Sequence, residues 1–292
     1  MIFVFFALFC FNNVDSFLPV ERQFLQQGII CQGRRYTGQE LRKKNLVLEA
    51  KSKEKKKFDQ LDEFLESSFD FSELQGVKFL SLENLNIGSS AETYEEYWFD
   101  PRIHTFGNTG PLGALHASLA PFATKVIDQF AYGGRNVRKE VIETFPDDAL
   151  IFDFGCGTGT STPKGSVGID TSPEMLAAAE VYYPGRRYIL GNIESFGEDN
   201  SCDIVLISFV FHEMPFAARK KVFENACRVA KKKVVVVDIS KDYCPSETML
   251  MGEPYVLCHL ENTEEYLTQQ GCIVESLVEG HVNAFTYNLN KI

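Results

Sequence analysis

The sequence predicts an α/β protein whose main domain is a doubly wound, mostly parallel seven-stranded sheet. Short apolar runs alternate with helical patterns through residues 149–292, and the first run stops at a glycine-rich loop. This alternation is typical of parallel strands joined by helical crossovers. A short turn containing Glu279 and Gly280 joins the last two strand patterns, so we expect an antiparallel hairpin at one edge.

The predicted elements of this domain follow in chain order. The strands are expected at 150–154, 167–170, 187–190, 203–208, 233–238, 272–278 and 282–289, and the helices at 173–183, 215–230 and 261–270. Only eight residues separate Gly159 from Gly168, too few for a full crossover helix. We therefore expect helices from residues 114–145 to cover that sheet face. The basic run 219–221 is expected to be solvated.

Residues 58–148 are predicted to form an N-terminal helical cap. Apolar residues recur at helical spacing over 58–68, and two further helices are expected at 114–131 and 137–145. Between them, residues 94–113 are dense in Gly, Pro, Asn, His and aromatic residues. That composition is typical of an ordered loop rather than of a linker.

The first 57 residues resemble a targeting sequence. Residues 1–16 contain an apolar run of ten residues, too short to span a bilayer and suited to a signal peptide. Residues 17–57 carry a net charge of +7 and are expected to be disordered. This order resembles the two-part plastid presequence of algae with secondary plastids, and a secreted protein with a basic arm is the alternative. No stable membrane anchor is expected after removal of the signal peptide.

Composition and charge exclude several classes of protein. Hydrophobic content of 45% and charged content of 24% are typical of a globular domain rather than of disorder or a polytopic membrane protein. Residues 58–292 carry a net charge of −17, which disfavours nucleic acid as a partner. The eight cysteines have no metal-ligand spacing, so we expect no metal site, free thiols and a reducing compartment.

The loop after the first strand carries the strongest chemical signal. Gly155, Gly157 and Gly159 would let a ligand approach the backbone closely at the carboxyl end of a parallel strand. A dinucleotide-binding loop has its third glycine where this chain has Thr160. Together with Asp153, two residues before the first glycine, this favours S-adenosylmethionine (SAM) over a nicotinamide cofactor.

These residues resemble the class I SAM-dependent methyltransferases, which have a Rossmann-like fold, over about residues 149–240. The resemblance implies that the glycine loop binds the amino-acid part of SAM, and that residues after the next two strands bind the ribose and the adenine. The implied cofactor-binding residues are Asp153, Gly155, Gly157 and Gly159 for the amino-acid part, Asp170 for the ribose, and Met175, Asn192 and Ile193 for the adenine. Residues 100–104, 208–215 and 252–255 also resemble a plant and algal methyltransferase-like group.

Three residues are candidates for the catalytic step. His212 and Glu213 follow the fourth strand, close to where the transferred methyl group should lie, and His104 lies in the aromatic-rich loop. Each is a candidate base or substrate ligand, and a purely structural role is the alternative. We expect a methyltransferase acting on a small molecule. A non-catalytic SAM-binding or assembly factor and a nicotinamide-dependent oxidoreductase are the alternatives.

Overall fold

The computed structural model describes residues 29–31, 34–36, 97–99, 103–105 and 107–289. These residues fall into two compact units. The smaller unit contains strands β1 (Ile29–Cys31) and β2 (Arg34–Tyr36), which pair antiparallel, and residues 244–249. The larger unit contains the remaining described residues.

The N-terminal predictions lie mostly outside the described residues. This holds for the signal peptide at 1–16, the helix at 58–68 and most of the basic segment. Within that segment the β1–β2 hairpin differs from the expected disorder, and the β-branched pair Ile29 and Ile30 favours a strand there. The targeting role and the domain boundaries stay predictions.

The main sheet confirms the predicted fold class. Its seven strands lie in the order β5-β4-β3-β6-β7-β9-β8. The first five are parallel, and β9 runs antiparallel to both of its neighbours, β7 and β8. The strands are β3 (Ile151–Phe154), β4 (Val167–Asp170), β5 (Arg187–Leu190), β6 (Cys202–Ser208), β7 (Ala230–Ile239), β8 (Ile273–Val278) and β9 (Val282–Asn288). Order and direction together place the carboxyl ends of β3 to β7 along one edge, where open α/β sheets bind ligands.

Six α-helices accompany the strands in the described part of the chain. They are α1 (Gly110–Phe130), α2 (Val137–Ile142), α3 (Pro173–Tyr182), α4 (Phe216–Val229), α5 (Glu247–Gly252) and α6 (Val256–Gln269). Helix α5 was not predicted, and α6 begins five residues earlier than predicted. Ser172 caps α3, because its hydroxyl oxygen accepts a hydrogen bond from the backbone N–H of Met175 at 3.1 Å.

Both faces of the sheet are covered by apolar side chains from the helices. Residues of α4 and α6 pack on one face, and α2 packs on the other against Ile151, Leu206 and Val235. Helix α1 packs against α3 through Ala117 and Met175. Helices α1 and α2 therefore supply the cover that the short crossover after Gly159 cannot, as predicted.

Two further expectations concern cysteines and membranes. Cys156, Cys202, Cys227 and Cys272 carry free thiols. The prediction that the cysteines carry free thiols is wrong at Cys258, which is disulfide-bonded. No helix among the described residues is long and apolar enough to cross a bilayer.

Candidate functional site

The glycine loop after β3 has the backbone conformation that its sequence predicts. Gly155, Gly157 and Gly159 have φ angles of 71°, 50° and 80°, in the left-handed region that glycine adopts without a steric penalty. A Cβ atom at Gly155 would lie 2.7 Å from Val210, whereas a Cβ atom at Gly157 would meet nothing within 4 Å. The loop therefore packs tightly on one side and leaves open space beside Gly157.

Asp153 binds the residues that follow the glycine loop. Its side chain is fully buried and accepts hydrogen bonds from the Thr162 hydroxyl at 2.6 Å and the Ser161 hydroxyl at 3.0 Å. Burial raises the pKa of Asp153 to about 6. The carboxylate thus binds the short crossover, and its described contacts are with the protein. Sequence reasoning did not identify Ser161 and Thr162.

Asp170 lies where β4 ends and faces the same loop. Its Oδ2 accepts the backbone N–H of Gly157 at 2.8 Å, and its Oδ1 accepts that of Ser172 at 2.9 Å. Burial raises its pKa to about 6. Each carboxylate oxygen keeps a further lone pair, so Asp170 can still accept hydrogen bonds from a ligand.

The residues expected to bind the adenine contact other residues of the protein. Met175 is buried against Ala117, and Ile193 is buried in the core. The Oδ1 atom of Asn192 accepts the backbone N–H of Glu194 at 2.8 Å. The structure thus brings Asp153, Asp170 and the glycines together, while the described contacts of Met175 are with helix α1.

These observations fit SAM. We call Asp153, Gly155–Gly159 and Asp170 the glycine-loop site. The open space beside Gly157 admits a ligand to the backbone, and the two oxygens of Asp170 suit the two hydroxyls of a ribose. In the described residues no group of three His, Cys, Asp or Glu side chains is arranged to hold a metal ion.

A second group of charged side chains lies beyond the carboxyl ends of β6 and β7. We call His104, His212, Glu213, Asp238 and Glu253 the histidine cluster. Its members come from four separate stretches of the chain. The sequence predicted three of them. Glu253 lies in the 252–255 resemblance, which gave it no role, and nothing in the local pattern marked Asp238.

His212 is held by Asp238. The Nδ1 atom of His212 lies 2.7 Å from Oδ1 of Asp238, and both side chains are buried. Burial opposes the charge on His212, but the charge and hydrogen bond of Asp238 raise its pKa to about 9. His212 is therefore protonated at neutral pH, with Nδ1–H donating to Asp238, and its Nε2 has no hydrogen-bond partner among the described residues.

His104 lies between two carboxylates. Its Nε2 is 2.9 Å from Oε1 of Glu213, and its Nδ1 is 2.7 Å from Oε1 of Glu253. Burial opposes the charge, yet Glu253 and Glu213 keep the pKa of His104 well above its usual value. Both ring nitrogens are thus occupied, so His104 has no free nitrogen that could accept a proton. Its φ of 49° is unusual for a side-chain-bearing residue.

Two contacts attach the segment after His104 to the start of α3. The backbone N–H of Gly110 donates to Glu174 at 2.6 Å, and the Ser172 hydroxyl donates to the carbonyl of Asn108. Ser172 also donates its backbone N–H to Asp170. Residues 104–110 therefore connect the histidine cluster with the glycine-loop site.

Arg219 anchors the turn that carries His212 and Glu213. Its side chain is fully buried, so the prediction that the run 219–221 is solvated is wrong at this residue. Its Nε donates to the carbonyls of Phe211 at 2.8 Å and Met214 at 2.9 Å, and its Nη2 donates to that of Tyr255. Burial lowers its pKa to about 9. Position 219 lies on the inner face of α4, which explains the burial.

Comparisons with known proteins agree with this geometry. Residues 152–238 match a family model described as a methyltransferase domain. Trans-aconitate 2-methyltransferase of Rhodopseudomonas palustris (strain BisB18) is 35% identical over 77 residues, which make up 24% of this chain and 30% of that relative. The match thus spans less than a third of the relative's length.

Solved structures of methyltransferases are also similar. Magnesium protoporphyrin IX methyltransferase from Synechocystis PCC 6803, with bound SAM, is 16% identical, with 52% of this chain and 75% of that chain covered and a TM-score of 0.37. A possible histamine N-methyltransferase from Thermotoga maritima is 15% identical, with 61% and 98% covered and a TM-score of 0.45. These identities are too low to carry over a substrate.

The sheet, the glycine-loop site and the family match together define a class I SAM-dependent methyltransferase domain. Residues 152–238 match the family model of a methyltransferase domain. The cofactor of such a domain is S-adenosylmethionine, as predicted.

Proposed function

We propose that the chain transfers the methyl group of SAM to a small-molecule acceptor bound beside His212. The observation that carries this proposal is the buried His212–Asp238 pair, which follows β6 and leaves Nε2 of His212 without a partner in the described part of the chain. The net charge of residues 58–292 disfavours nucleic acid, which supports a small acceptor.

Each side of the site has a distinct task in this proposal. SAM supplies a methyl group bonded to a positively charged sulfur. Asp170 and the glycine loop bind the cofactor, and Asp238 fixes the orientation of the His212 ring. Holding the two reactants in line accounts for most of the rate enhancement in such a displacement.

The protonated state of His212 limits its role. With a pKa of about 9, only about 1% of His212 is neutral at pH 7. At that pH its Nε2–H donates a hydrogen bond to an acceptor atom, and proton removal by His212 becomes effective only at higher pH. Glu213 is paired with His104 and positions that ring.

The test is formation of S-adenosylhomocysteine by the full chain from SAM and fractionated small-molecule extracts. We expect product with at least one fraction, and at least about fivefold less from Asp170→Ala when SAM is limiting. Replacement His212→Gln should lower the turnover while SAM still binds, since it replaces the charged imidazolium donor by a neutral amide without touching the glycine loop.

The alternatives give different results in the same assay. Tight SAM binding without turnover on any fraction would favour a non-catalytic SAM-binding or assembly factor. Binding of NADH or NADPH in place of SAM would favour an oxidoreductase and would contradict the proposal.

A further inference from the structure

One carboxylate oxygen of the histidine cluster lacks a hydrogen-bond partner. The side chain of Glu253 is 8% exposed, and its Oε1 pairs with Nδ1 of His104 at 2.7 Å. Its Oε2 is buried and accepts no hydrogen bond. A buried carboxylate oxygen without a donor is unfavourable, and native proteins rarely leave such an atom unpaired. A ligand that donates a hydrogen bond would satisfy it.

The second unpaired group is close to Glu253. His212 is 7% exposed, and no described residue contacts its Nε2 through a hydrogen bond. Glu253 and Glu213 both contribute to raising the pKa of His212, so the two carboxylates lie within electrostatic range of that ring. Nε2 of His212 and Oε2 of Glu253 thus belong to one cluster, which His104 links by pairing with both Glu253 and Glu213, and each atom can form a hydrogen bond with a ligand.

The charges of the histidine cluster and the groups next to it nearly balance, with one more carboxylate than cations. Burial lowers the pKa of His116 and His259, so both rings are neutral at pH 7. The remaining charged groups are four carboxylates, Asp170, Glu213, Asp238 and Glu253, and three cations, His104, His212 and Arg219. A carboxylate ligand would add negative charge next to Glu253, whereas a hydrogen-bond donor would offset it.

We propose that Glu253 and His212 form the binding subsite for the methyl acceptor, and that this acceptor offers a hydrogen-bond donor, as a hydroxyl or a protonated amine, to Glu253. This inference rests on the proposed function, because it assigns the acceptor of that same site. It separates the chain from a relative that, by its name, acts on trans-aconitate, a polycarboxylate.

The first test compares three probes with one aromatic skeleton: 2-phenylethylamine, 2-phenylethanol and 3-phenylpropionate. The shared skeleton means that the probes differ mainly in the polar group they would present to Glu253. The Kd of each probe is measured by nuclear magnetic resonance on the full chain, with and without S-adenosylhomocysteine. We expect the amine and the alcohol to bind at least about tenfold more tightly than the acid. Equal or tighter binding of the acid would overturn the inference.

The second test uses matched variants. Glu253→Gln and Glu213→Gln each remove one negative charge and one carboxylate partner of His104, but only the first changes the unpaired oxygen. We expect Glu253→Gln to reduce the preference for the amine over the acid about tenfold or more, and Glu213→Gln to reduce it by less than about threefold. Equal effects of the two variants would overturn the inference. If either variant does not fold, the probe selectivity of the unmodified chain decides the question.

Failure of this inference is distinguishable from failure of the proposed function. The function requires binding of SAM and S-adenosylhomocysteine, which is measured separately on the same protein. Probe selectivity without cofactor binding would count against the function alone, and cofactor binding without probe selectivity would count against the subsite alone.

Discussion

The glycine-loop site is built from residues close together in the chain, whereas the histidine cluster is assembled from distant ones. Asp153 and Thr162 are nine residues apart, and Gly157 and Asp170 are 13 apart. His104 and Glu213, by contrast, are separated by 109 residues. A local pattern therefore defines the first region, while the second exists only when the fold has formed.

The largest effect is expected at the residue that ties the histidine cluster to the core. Replacing Arg219→Met should lower the free energy of unfolding by about 3 kcal/mol or more, because three carbonyl oxygens each lose a charged donor. Denaturant unfolding measures this loss. The control is Lys220→Met, an exposed neighbour on the same helix, with an expected change below about 1 kcal/mol. Similar small losses in both variants would show that the cluster does not depend on Arg219.

The next prediction separates backbone strain from ligand binding in the glycine-loop site. Gly157 and Gly165 both have positive φ and open space around a new Cβ atom. Replacing either by Ala should lower the free energy of unfolding by about 1–2 kcal/mol. Only Gly157→Ala should also weaken the binding of SAM, raising its Kd about tenfold or more as measured by calorimetry, because the methyl group of the new alanine enters the space beside the loop. Equal SAM affinity in both variants would place the cofactor elsewhere.

The pH dependence of stability tests the histidine cluster. His212 has a pKa of about 9 in the folded chain and an ordinary value of 6.5, and the pKa of His104 is shifted in the same direction. A histidine whose pKa is raised by folding stabilises the folded state. This stabilisation is fully present below pH 6.5 and is lost as the pH rises through about 9. Denaturant unfolding from pH 6.5 to 9 should therefore show declining stability.

Replacement Asp238→Asn is the control for that decline. It removes the main group that raises the pKa of His212, so burial should dominate and lower that pKa. The imidazole resonances of His212 report the change directly, and the pH dependence of stability should become shallower. An unchanged slope would mean that the His212–Asp238 pair does not form in solution.

The smallest effect is expected at Asn192. An Asp at this position can accept the same hydrogen bond from the backbone N–H of Glu194. Asn192→Asp should therefore change the free energy of unfolding by less than about 0.5 kcal/mol and the SAM affinity by less than about threefold. A larger gain in affinity, measured by calorimetry, would show that the residue contacts the cofactor.

The difference between the two regions also explains what the sequence could predict. The strands β3 to β9 were predicted within about three residues at each end, because their apolar runs stop at glycines or turns. The glycine loop followed from its spacing alone. The opposite holds for Glu253, which lies just after the unpredicted helix α5 and was noted only as part of the resemblance over residues 252–255. Its pairing with His104 depends on tertiary contacts.

Arg219 illustrates the same limit. It begins a run of three basic residues, a pattern that usually indicates a solvated helix face. The exposed Lys220 follows that rule. Arg219 lies on the inner side of helix α4, where it donates to backbone carbonyl groups of the turn that carries His212. Composition alone does not distinguish these two neighbours, because the acceptors for Arg219 lie in other segments.

The most direct test of the account is calorimetric titration of the full chain with SAM, repeated on Asp170→Ala. The account predicts saturable binding that the substitution weakens by about 1–3 kcal/mol, because the ribose hydroxyls lose their charged acceptor. No binding of SAM, or equal binding to both proteins, would contradict the assignment of the glycine-loop site as the cofactor site.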